Sequence, residues 1–157
     1  MRTALITGAA GQDGILLSQL LAAEGYRIVG VIKPGTSGAV LHAYAPQVEV
    51  VDCDLADLEG LADLVAHIGP DEVYNLAGIS SVAFSWDHPE LTIQITGVGP
   101  VRLMTRLREW AAAHDRAPRF VQASSAEMFG SPEASPQDES TPLRPVSPYG
   151  AAKVLAH

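Results

Sequence analysis

The stretch ALITGAAGQDGILLSQLLAAEG, residues 4–25, holds the reading that decides the fold. An apolar run, Ala4 to Thr7, meets glycines at Gly8, Gly11 and Gly14, and a helix-patterned run from Gln12 to Glu24 then stops at Gly25. Glycines at this spacing permit a tight turn and close backbone approach. A helix starting at such a loop aims unpaired N–H groups, and the positive end of its dipole, at whatever lies in front of it. Strand, G-x-x-G-x-x-G loop and helix in that order predict a site for a dinucleotide pyrophosphate.

The same alternation continues outward. The runs RIVGVI (27–32), VEVVDC (48–53), EVYNLA (72–77) and FVQAS (120–124) are nearly continuous in apolar residues, as parallel strands buried on both faces are. Between them, Leu58 to Ile68 is helical in pattern and closes at Gly69-Pro70. From Pro89 to His114 the pattern predicts a helix that begins poorly, interrupted by Gly97 and Gly99, and becomes regular from about Pro100. Residues 130–148 carry five of the eleven prolines, which predicts a long functional loop. Five strands in this arrangement predict an α/β fold with a doubly wound parallel sheet of Rossmann type.

Composition narrows the function. At 157 residues and 47% hydrophobic, the chain can bury one ordinary core. A net charge of −8 argues against nucleic acid or an anionic membrane as the main partner. Five arginines lie from Arg102 to Arg119, and this cluster reads as a solvated face. Cys53 is the only cysteine, and its neighbours in EVVDCDL predict a buried thiol with no disulfide. The N-terminus lacks the apolar core of a signal peptide, and no apolar run reaches the ~20 residues of a membrane span. A cytoplasmic location is the expectation. No pattern of metal ligands stands out.

About 20 residues past the glycine loop, an NAD site would show an acidic group for the ribose 2′-hydroxyl. This chain has VIKPGTSG (31–38) there, and Lys33 with Thr36 and Ser37 suits the 2′-phosphate of NADP, with NAD as the alternative. Asp54, after the third strand, either reaches adenine or caps a turn. The fifth strand runs into QASSAEMFG (122–130), and YGAAK (149–153) follows the proline-rich loop. Tyr149 and Lys153 share a helical face. An ammonium beside a phenol favours the phenolate, which fits such a tyrosine to act as a base.

These motifs resemble the extended short-chain dehydrogenase/reductase family, whose members modify nucleotide sugars, and within it the GDP-mannose 4,6-dehydratases. LITGAAGQDG, DEVYNLAGISSV, GVGPVRLM, QASSAEMFG and SPYGAAK fall in the family's order. The resemblance implies catalytic roles for Ser125, Glu127, Tyr149 and Lys153. It implies that Gly8, Ala10, Gly11, Gln12, Asp13 and Gly14 line the cofactor phosphates. Asp54 and Leu55 would then sit at adenine, and Leu76, Ala77, Gly78 and Ser80 beneath the ribose and nicotinamide. Tyr149 and Lys153 would also hold the cofactor.

The implied reaction oxidises the sugar at C4 with Tyr149 as base. Glu127 then removes the C5 proton as water leaves C6, and hydride returns to C6. GDP-mannose is the implied substrate, and a homo-oligomer the implied assembly of the complete protein. Four positions depart from the family pattern: Lys33-Pro34 replaces paired arginines, Ser81 replaces a histidine, and Ser125 stands where threonine is usual. Complete members are roughly twice this length. Residues 1–157 are therefore expected to form the NAD(P)-binding domain, incomplete at its C-terminus, without the sugar-nucleotide domain. Two other readings use the same residues: an epimerase or reductase needing only Ser125, Tyr149 and Lys153, and a dinucleotide-binding module without turnover.

Overall fold

A computed structural model describes residues 1–157, position 58 by its main chain alone. In chain order the elements are β1 (Thr3–Thr7), α1 (Gln12–Ala23), β2 (Arg27–Ile32), α2 (Ala39–Tyr44), β3 (Glu49–Asp52), α3 (Leu58–Ile68) and β4 (Glu72–Asn75). Then come α4 (Val82–Asp87), α5 (Pro89–Thr92), a π-helical turn (Ile93–Val98), α6 (Gly99–His114), β5 (Arg119–Gln122), a 3-10 turn (Ala126–Met128) and α7 (Pro148–Ala156). The chain divides into two compact units, Met1–Ala77 with Arg102–Ala123, and Gly78–Val101 with Ser124–His157.

The first unit is the predicted sheet. Its strands are all parallel, in the order β3-β2-β1-β4-β5. Successive side chains of a strand face opposite ways, and here both faces are covered. Ala4, Ile6, Ile28 and Ile32 pack with Leu21 of α1 and Leu41 of α2. Leu5, Val29, Val31 and Val73 pack with Leu61 and Val65 of α3 and Leu103 and Trp110 of α6. The sheet is therefore doubly wound, as predicted.

Some expectations change with position in that order. The apolar runs at β3 and β5 are sheet edges rather than central strands, so Val50 and Val121 are exposed. Cys53 is buried as expected, and desolvation pushes its thiol up. Arg102 and Arg106 are not on a fully solvated face. Both are half-buried, with Arg102 donating to the Ala56 carbonyl at 3.4 Å and Arg106 paired with Glu109 at 2.7 Å. Helix α2, between glycine- and proline-rich flanks, had no sequence pattern to announce it.

In the second unit, α7 packs on the π-helical turn, with Gly97 against Ala152 and Leu155. This π turn is the poorly formed start predicted for the long helix, and α6 is its regular part. The proline-rich loop is ordered by its own contacts. The Arg144 amide donates to the Met128 carbonyl at 3.0 Å, Arg144 pairs with Glu133, and Asp138 accepts from the Ser140 amide at 2.9 Å.

At the amino ends of the strands, Glu72 is buried and accepts the hydroxyls of Tyr26 at 3.1 Å and Tyr74 at 2.7 Å. Burial, and then the bond to Glu72, push the Tyr74 hydroxyl up to about 12 from an ordinary 10.0. A raised phenol contributes stability that is complete below the unfolded value and lost as pH climbs to the folded one. The protein should thus lose stability between pH 10 and about 12. In Tyr74→Phe that alkaline slope should flatten, as read from denaturant midpoints across the range.

Candidate active site

The predicted residues fall into two groups, one in each unit. In the first unit, parallel pairing brings the carboxyl ends of neighbouring strands side by side. The Ala9 amide donates to Val31 at 3.3 Å, Cys53 to Ile32 at 3.0 Å and Leu76 to Thr7 at 3.3 Å. The glycine loop, Lys33, Asp54 and Leu76–Ala77 therefore leave the sheet along one edge.

Gly8 takes φ +69°, and a Cβ there would lie 2.9 Å from the Ala77 nitrogen. A Cβ at Gly14 would lie 2.6 Å from both the Ala9 Cα and the Gly8 oxygen. These two contacts let the loop lie flat between β4 and the first turn of α1. Gly11 caps α1 without any side-chain bond, and the first bond of the helix runs from Ile15 to Gly11 at 3.0 Å. The amides of Gln12, Asp13 and Gly14 precede that bond and have no helical carbonyl to reach. A diphosphate fits such a row of open amides at a helix start.

Lys33 is exposed at the start of a tight turn, in which the Thr36 amide donates to the Lys33 carbonyl at 2.9 Å. Pro34 and Gly35, the latter at φ +82°, are the central residues that a type II turn takes. Thr36 and Ser37 are exposed beside it. Asp54 does cap a turn, with its Oδ1 accepting from Ala56 at 2.9 Å. Leu55 is buried in the core beneath α3 and α6.

Three strands are also cross-tied by a ladder that sequence reasoning missed. Thr7 Oγ1 donates to Asn75 Oδ1, and Asn75 Nδ2 donates to Gln122 Oε1 at 2.7 Å. The Ala77 amide donates to Thr7 Oγ1 at 3.2 Å. Thr7 pairs with Asn75, and Asn75 with Gln122, in the sheet register. The available signal was a polar residue at or near the end of three apolar runs.

In the second unit, α7 carries Tyr149 and Lys153, both buried, with Lys153 Nζ 5.7 Å from the Tyr149 ring centre. Desolvation pushes the Lys153 ammonium below the ordinary lysine range. Ser125 caps the 3-10 turn by accepting the Glu127 amide at 3.2 Å, so its own proton is left to donate elsewhere. A Cβ on residue 150 would lie 2.6 Å from the Glu127 carbonyl oxygen, so Gly150 lets this turn close on α7. The Glu127 carboxylate is exposed. Gly78 lies against Thr96, whose buried hydroxyl accepts the Ile79 amide at 2.9 Å, and Ser80 is exposed. Ser85 and Thr96 are fully buried hydroxyls at this site that no local pattern marked.

Among the described residues, no group of three or more His, Cys, Asp or Glu is placed to hold a metal ion, and no helix is long and apolar enough to cross a membrane.

Known proteins match the chain along nearly its whole length. The family model described as GDP-mannose 4,6 dehydratase matches residues 5–157. The GDP-mannose 4,6-dehydratase of Yersinia enterocolitica is 39% identical across 100% of this chain and 44% of its own length. The human GDP-mannose 4,6 dehydratase is 37% identical across 98% of this chain and 44% of its own. The chain thus spans under half the length of these relatives. Among solved structures, the dTDP-glucose 4,6-dehydratase DesIV of Streptomyces venezuelae, solved with NAD bound, matches at a TM-score of 0.85 and 25% identity. That match covers 98% of this chain and 49% of the other. The UDP-Glc/GlcNAc 4-epimerase of Campylobacter jejuni shares the fold at a TM-score of 0.88 and 23% identity, over 99% of this chain and 47% of its own.

Replacing Asn75 by Ala should leave the Thr7 hydroxyl and the Gln122 carbonyl without their partner. The expected cost is about 1–3 kcal/mol of unfolding free energy, measured as a lower denaturant midpoint at unchanged slope.

Proposed function

Because this chain belongs to the GDP-mannose 4,6-dehydratase family, we propose that the protein it forms part of converts GDP-mannose into GDP-4-keto-6-deoxy-mannose with a nicotinamide dinucleotide, NADP by preference. The observation that carries the reading is the carboxylate of Glu127, on the 3-10 turn packed at Gly150, the residue next to Tyr149. An epimerase needs only a proton acceptor at the 4-hydroxyl. A dehydratase also needs a group that takes the C5 proton and protonates the departing C6 hydroxyl, and a reachable carboxylate can do both.

Tyr149 takes the proton of the sugar 4-hydroxyl, with Lys153 on the same helix and its Nζ 5.7 Å from the tyrosine ring centre. Ser125, its lone pair engaged by the Glu127 amide, donates its proton to the sugar oxygen. The Gly8–Gly14 loop, with Ala10, Gly11, Gln12 and Asp13, holds the diphosphate. Asp54 and the Leu55 main chain serve adenine, while Leu76, Ala77, Gly78 and Ser80 serve the ribose and nicotinamide. When bound, the dinucleotide supplies an acceptor for the C4 hydride and a donor for its return. The NAD in the Streptomyces venezuelae dehydratase supports a nicotinamide cofactor, and exposed Lys33, Thr36 and Ser37 support a 2′-phosphate.

Glu127→Gln should still reduce the dinucleotide when GDP-mannose is added but form the 6-deoxy product roughly 100-fold or more slowly. Proton NMR of the product reads this through the 6-methyl signal, and an unimpaired rate of 6-methyl formation would refute the role. Lys33→Glu should weaken NADP binding roughly tenfold more than NAD binding by calorimetry; equal losses would remove the 2′-phosphate contact.

A further inference from the structure

Ser85 lies on α4 with none of its surface exposed. Its hydroxyl donates to the Val82 carbonyl at 2.6 Å, which fixes the proton inside its own helix. The lone pair left over accepts the amide of Tyr149 at 3.2 Å. The first turn of α7 has few other ways to satisfy that amide. Pro148 has no N–H to place, Gly150 donates to Ser147 Oγ at 3.0 Å, and Ala151 donates to the Ser147 carbonyl at 2.9 Å. The ordinary helix cap, Ser147, is thus used up one residue beyond Tyr149.

Ser85 is itself anchored. Helix α4 is capped by Ser81, whose carbonyl accepts the Ser85 amide at 3.1 Å and whose Oγ accepts the Phe84 amide at 3.1 Å. Two residues before Ser81, Ile79 is held by Thr96. We propose that Ser85 is a positioning residue for Tyr149: through one hydrogen bond to the tyrosine's own amide, it fixes the phenol relative to the Gly78–Ser81 segment. The proposal rests on the reading of Tyr149 as the base.

The test uses the complete protein as its gene encodes it. Ser85→Ala should lower kcat roughly tenfold, while KM for GDP-mannose and the dissociation constant of the dinucleotide stay within roughly twofold, because only a geometry needed for reaction is lost. The acidic limb of the kcat–pH profile should move as well. Ser147→Ala, which removes the cap at Gly150 alone, should lower the thermal midpoint and leave kcat within roughly twofold. Tyr149→Phe is assayed beside them. If it keeps turnover, the reading of the base fails. If it is inactive while folded Ser85→Ala keeps a normal kcat and pH profile, the positioning role alone is overturned. Should Ser85→Ala not fold, amide exchange in the unsubstituted protein decides the matter: protection at Tyr149 supports the bond, and exchange at the rate of an open amide overturns it.

Discussion

A parallel strand buried on both faces can return to its sheet only through a crossover. That requirement organises the first unit. Each of β1 to β4 hands the chain to a connection at its carboxyl end, so the glycine loop, the Lys33 turn, Asp54 and Leu76–Ala77 all leave one edge of the sheet. The ladder from Thr7 through Asn75 to Gln122 ties the ends of β1, β4 and β5 together where the apolar core stops. Polar groups buried there are tolerable because each finds a partner at the same register. The opposite edge solves the same problem differently, with a single carboxylate, Glu72, serving two tyrosines.

Helices α1 and α7 begin in opposite ways. Helix α1 starts at a glycine with no side chain to cap it, so its first amides face outward. In the first turn of α7, Ser147, Ser85 and a proline account for the amides. The first arrangement favours an anionic guest. The second leaves nothing for a guest to bind, and instead holds a side chain still.

How legible all this was depended on whether the cause was local. Gly25 and Gly69 end their helices in the left-handed conformation that glycine tolerates, and the apolar runs marked every strand. The tight packing at Gly8 and Gly14 and the shared helix of Tyr149 and Lys153 were readable because each is set by short spacing. Sheet edges were not, because nothing in VEVVDC or FVQAS says which strand lacks a neighbour. The half-burial of Arg102 depends on Ala56, 46 residues away in sequence. Ser85 lies 64 residues from Tyr149, and as a lone serine in SSVAFSWD it looks like surface. Helix α4, six residues long, is too short to show a period.

The bare end of α1 also bears on the lifetime of the molecule. Open amides at a glycine-capped helix are a standing weakness in the fold, and an anion seated on them repairs it in proportion to its abundance. A ligand at a hundred times its dissociation constant adds about 2.7 kcal/mol to the folded state, a large fraction of the margin by which an ordinary domain stays folded. A chain made when such an anion is scarce would open more often and be cleared sooner by proteases. The glycine loop would then set how much of the protein persists as well as what it binds, coupling its abundance to the supply of the anion it takes.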